Sequence, residues 1–114
     1  MKTYDYSITA PVAQGDVMIK RIDSLPEGLE ESKAEDGNYV VAHSETGHHH
    51  VMSSADCTVW DQDEFRSYVQ VDNVVELRHL RGFDTHETIA LPPGKYRITR
   101  QREYTPEGYR RAQD

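Results

Sequence analysis

Three of the chain's six histidines are consecutive, His48-His49-His50, introduced by Glu45-Thr46-Gly47 and followed by Val51-Met52. The stretch reads as a β-strand. On a strand alternate side chains share a face, so His48 and His50 point one way and His49 the other. Two neutral imidazoles on one face are half of a site for zinc, iron, nickel or copper, and three protein ligands plus an open position is the usual catalytic arrangement. The third ligand has to come from elsewhere in the chain. His86 is the first choice, because it heads Glu87-Thr88-Ile89-Ala90-Leu91, where the mouth of a strand can face the pair; His79, on the Val75, Leu77, His79 face of its strand, is the second. Glu45, Asp84 and Glu87 could add a fourth ligand, orient an imidazole or act as a general base. The expected site is therefore His48, His50 and His86 around a divalent ion, zinc first, with Glu87 and Glu45 as the carboxylates for any catalysis. These residues name no reaction; a metal-bound water activated for hydrolysis is the least specialised one they could run. The same histidines would also suit a polar strand that merely hydrogen-bonds, or a cluster whose titration near about pH 6–7 gates an acid-sensitive transition.

The elements that must position these residues are short and numerous. Strand signals run over residues 17–22, 38–43, 47–52, 57–60, 65–71, 74–80, 87–91 and 95–104, separated by Gly, Asp, Asn and Pro. Such spacing fits an antiparallel sandwich, roll or small barrel. The expected fold is all-β and mainly antiparallel, a small barrel or roll with at most one short helix, in a single domain spanning residues 1–114. The helical candidate is Leu25 to Ser32, limited by Gly28 and Gly37. Its acidic neighbours Glu27, Glu30, Glu31, Glu35 and Asp36 read as a solvated loop, since no spacing of a calcium loop occurs there. Pro92-Pro93-Gly94 is a tight turn, with Pro93 fixing φ and Gly94 taking φ > 0. The strand after it puts Tyr96, Ile98, Arg100, Arg102 and Tyr104 on one face, apolar at its start and cationic at its end.

Composition narrows the classes. At 114 residues with 36% hydrophobic content there is material for one modest core. Seven Tyr against two Phe suit rings half-buried at a surface or cleft. The net charge of −7 argues against non-specific nucleic-acid binding, which draws on Lys and Arg. Charge is uneven: residues 1–94 hold 7 Lys/Arg against 17 Asp/Glu, and residues 95–114 hold 6 against 3. That basic end could dock an acidic partner, although a solvated Arg face explains it more simply. Cys57 stands alone, so no intramolecular disulfide forms and a reducing cytoplasm is the natural compartment; its setting, Cys57-Thr58-Val59-Trp60, makes it a small buried hydrophobe. The N-terminal residues show no apolar h-region and no apolar run approaches the length of a membrane span, so neither export nor membrane spanning is expected. Strand edges and abundant Tyr favour a homo-oligomer.

Three segments carry a family resemblance: Gln14-Gly15-Asp16-Val17, Thr46-Gly47-His48-His49-His50, and the run from His86-Glu87-Thr88-Ile89-Ala90-Leu91-Pro92-Pro93-Gly94 through Tyr104. They resemble short, largely uncharacterised proteins of bacteria and tailed phages that retain Thr-Gly-His-x-His. The resemblance implies that His48 and His50 matter and His49 varies, and it implies no activity. A looser likeness is to cupins, β-barrels that hold a metal with His-x-His, a Glu and a later His. Here Ser54 and Ala55 stand where the cupin Glu is expected, and His86 precedes the Pro93-Gly94 turn instead of following it, so the likeness is one of architecture. The rival expectation is a non-enzymatic phage or bacterial accessory module, acting through a sheet edge and the Arg97, Arg100, Arg102 strand.

Overall fold

The computed structural model describes residues 2–5, 10–14, 17–42, 49–79 and 88–100. These form eleven strands: β1 (Lys2–Thr3), β2 (Val12–Gln14), β3 (Val17–Ile22), β4 (Glu30–Glu31), β5 (Asn38–Ala42), β6 (His50–Ser53), β7 (Cys57–Asp61), β8 (Arg66–Val71), β9 (Val75–His79), β10 (Ile89–Leu91) and β11 (Gly94–Arg100). The fold is all-β. The mainly antiparallel class is the expected one, and its strands form two sheets, ordered β1-β10-β9-β6-β5 and β2-β3-β11-β8-β7-β4, that do not close into a barrel. Every pairing is antiparallel except β1 with β10.

Alternation explains which face goes inward. In β3 Val17 and Ile19 are buried while Met18 and Lys20 are half-buried; β7 buries Cys57 and Val59, and β11 buries Tyr96 and Ile98. These inner residues meet Met52, Val75, Leu77, Ile89 and Leu91 of the other sheet in one hydrophobic cluster. Tyr4 and Tyr96 stand edge to face at its centre, with ring centroids 5.2 Å apart and planes at 88°. Both hydroxyls are anchored, Tyr4 accepting from the Arg21 backbone N–H at 2.8 Å and Tyr96 donating to the Pro92 carbonyl at 2.6 Å. The last bond ties down the turn into β11, where Gly94 takes the expected positive φ, 153°.

The helix considered for Leu25 to Ser32 does not form. Gly28 has φ +78°, outside the helical region, and Glu30–Glu31 instead pair with Trp60 and Asp61 as an edge strand. Across the neighbouring turn Asp36 and Gly37 both have positive φ (53° and 78°), the conformation a two-residue hairpin loop requires. Glu35 and Asn38 close it with bonds of 2.7 and 3.0 Å. The other strand expectations hold to within a few residues where they are described, except that β6 begins only at His50. No helix among the described residues is long and apolar enough to cross a membrane.

Cys57 is the buried apolar side chain expected, 4% exposed. Burial, followed by the nearby Asp56 and Asp72 charges, pushes its thiol up to about 12. The unfolded thiol ionises from about 9, so the folded state holds its proton more tightly. This contribution is fully present below about pH 9 and is lost as pH rises toward about 12. Two results are expected. Urea stability should fall across that alkaline window less steeply in Cys57→Ala than in the parent, and a thiol reagent should label the parent only on unfolding.

Candidate histidine site

The site grows out of β6. A register shift lies between Val40 and Ala42 of the adjacent strand, so Val41 and Ala42 are both buried. Such bulges re-aim side chains and recur beside functional sites. The shift places Ala42 opposite His50 on one flank, and the smallest side chain with a Cβ crowds the imidazole least. On the other flank the antiparallel register sets His50 opposite His79. Val75 and Leu77, on the same strand as His79, are buried. His50 is itself 7% exposed, one of only three buried polar residues among those described.

The other two are Gln14 and Ser67. Gln14 belongs to the opposite sheet, and its side chain crosses to His50. Its Oε1 lies 2.7 Å from His50 Nδ1 while its Nε2 donates to the Leu77 carbonyl at 2.9 Å. This glutamine was not among the expected site residues. The signal available in the sequence was an amide at Gln14, within one of the three segments that carry the resemblance, and it contacts His50 of another.

Of the other expected site residues, His49 is described and half-buried just before β6, so His50 is the enclosed one. His48, His86, Glu45 and Glu87 lie outside the described residues, as do His43 and Asp84. Among the described residues no group of three or more His, Cys, Asp or Glu is placed to hold a metal ion. What the geometry brings together is thus His50, Gln14 and the register position of His79, which was the second choice for a ligand.

Arg100, assigned from sequence to a cationic rim, is engaged internally. It donates from Nε to the Glu64 carbonyl (2.8 Å), from Nη1 to the Val41 carbonyl (2.9 Å) and Ser67 Oγ (2.8 Å), and from Nη2 to the Asp63 carbonyl (3.0 Å). Burial draws its guanidinium below the ordinary range, opposed by Asp61, Asp63 and Glu64. Arg97 and its register partner Lys20 on β3 are half-buried on the outer face of the six-stranded sheet; its other partner, Tyr68 on β8, is buried, and lies opposite the half-buried Trp60 on β7. Arg102 lies outside the described residues.

No curated protein and no solved structure matches the chain. A family profile described as a domain of unknown function, DUF8820, matches residues 13–101, a span that contains Gln14, the histidine triplet, His79 and His86. The chain belongs to the DUF8820 family.

Proposed function

We propose that this domain binds a divalent metal ion through His50, with His48 and His86 completing the ligand set and His79 as the alternative to His86. The observation that carries the reading is a buried histidine whose Nδ1 is held by a buried glutamine, opposite the register position of a second histidine. Metal-ligating histidines are ordinarily held in this way through their other ring nitrogen. Zinc accepts such imidazole sets readily. Glu45 and Glu87 are the carboxylates through which a bound water could be activated, and hydrolysis is the reaction class that would follow.

The test is elemental analysis of untagged protein, paired with melting in the presence of Zn²⁺ and of chelator. One metal per chain and a melting temperature that rises with Zn²⁺ are expected, since a ligand that binds only the folded state stabilises it. Replacing His50 by Ala should abolish both. Unchanged metal content in His48→Ala/His50→Ala protein would end the proposal.

A second reading is favoured by the outward pair Lys20 and Arg97, both half-buried, with half-buried Trp60 on the same sheet beyond the buried Tyr68. On a chain of net charge −7 this is a local cationic and aromatic strip, suited to an acidic protein partner of a phage or bacterial accessory module. It predicts that partner binding survives the histidine changes and is lost on Lys20→Glu/Arg97→Glu.

A further inference from the structure

We infer that Gln14 is a positioning residue that locks His50 in one tautomer, with the proton on Nδ1 and the lone pair on Nε2. The polarity is set by the backbone. The Leu77 carbonyl can only accept, so the end of the Gln14 amide 2.9 Å from it must be the NH2 group. Rotating the amide by half a turn would aim Oε1 at the carbonyl and leave two acceptors in buried contact. The other end, 2.7 Å from His50 Nδ1, is therefore the oxygen, and the imidazole donates to it.

The relay runs from Leu77 on β9, through Gln14 on β2, to His50 on β6, and so joins both sheets. Its members are enclosed, with Gln14 2% and His50 7% exposed, so water competes poorly for these bonds. Leu77 also sits two residues before His79 on the strand paired with β6. The carbonyl that orients the relay is thus fixed to the same ladder that sets His50 opposite His79.

The consequence is chemical. A neutral imidazole protonated at Nδ1 presents Nε2 as its only acceptor or ligand atom. In this tautomer Nε2 is the His50 atom that would ligate a metal or take up a proton. The metal half of this statement rests on the reading proposed above; the tautomer does not.

Long-range proton–nitrogen NMR of metal-free protein, labelled with ¹⁵N-histidine and held at a pH where the imidazole is neutral, reads the tautomer directly. His50 is expected as the Nδ1–H form. In Gln14→Met it should move toward Nε2–H, the form imidazole prefers in water, and Gln14→Glu, which keeps an acceptor, should retain Nδ1–H. An Nε2–H tautomer in the parent protein overturns the inference, whether or not the variants fold. So does an unchanged tautomer in folded Gln14→Met. Adding Zn²⁺ should then shift the Nε2 resonance of His50, and a shift at Nδ1 instead would also overturn it. A titration that moves no imidazole nitrogen defeats the metal reading, while the metal-free spectrum still decides the role of Gln14.

Discussion

Tyr96→Ala should lower the stability of the domain by about 4 kcal/mol, enough to leave a small β-domain largely unfolded at physiological temperature. Tyr96 is fully buried, it packs edge to face on Tyr4, and its hydroxyl donates to Pro92 at 2.6 Å. Truncation removes the ring from the centre of the core, leaves a cavity that neighbouring Val and Ile side chains fill poorly, and frees the turn before β11. Tyr96→Phe separates these contributions: it keeps the ring and loses only the hydroxyl bond, for about 1 kcal/mol. A double-mutant cycle with Tyr4→Leu should then report the ring–ring contact as a coupling of about 1 kcal/mol. Urea denaturation checks all three. A Tyr96→Ala protein within about 1 kcal/mol of the parent would mean that this ring does not organise the core.

The core was legible because its signal is local. Val17 to Ile22 and Cys57 to Trp60 alternate or cluster apolar residues in a way only a strand can use, and they fold as strands. The Pro93-Gly94 turn was equally plain, since backbone chemistry alone dictates it. Less legible were the division into two sheets and the edge strand that stands where a helical turn was considered. Glu30–Glu31 pair with β7 across a long stretch of sequence, and no local propensity reports that partnership.

The histidine site shows the same division. Strand alternation separates His50 from His49, and the structure buries the first more deeply than the second. The register of β6 against β9 is a different matter. That His50 pairs in register with His79 depends on where two distant strands slide to a stop, and a slip of one residue would have placed Arg78 there instead. Gln14 was hidden for a related reason. Its role comes from crossing between two sheets, and only the folded arrangement brings an amide to a histidine thirty-six positions away.

Arg100→Leu is expected to cost about 3 kcal/mol, although a lone arginine near a strand end would ordinarily be dispensable. Its guanidinium reaches three backbone carbonyls and one hydroxyl, in directions that only a planar fork can serve together. The carbonyls of Asp63 and Glu64 lie in the β7–β8 turn, Ser67 is on β8, and Val41 is on the edge strand of the opposite sheet. Arg100 therefore fastens the two sheets at this end of the core. Arg100→Lys should recover less than half of the loss, because an ammonium is a point charge that cannot span the same acceptors. Denaturant midpoints should fall with little change in slope, and a midpoint within error of the parent for Arg100→Leu would show the clamp to be idle. The result also bears on function. An Arg100→Glu variant that lost a partner would report a loosened fold, with the Val41 edge released beside Ala42 and His50. Lys20 and Arg97, on the outer face of the sheet, test that surface without disturbing the fold that holds the histidine.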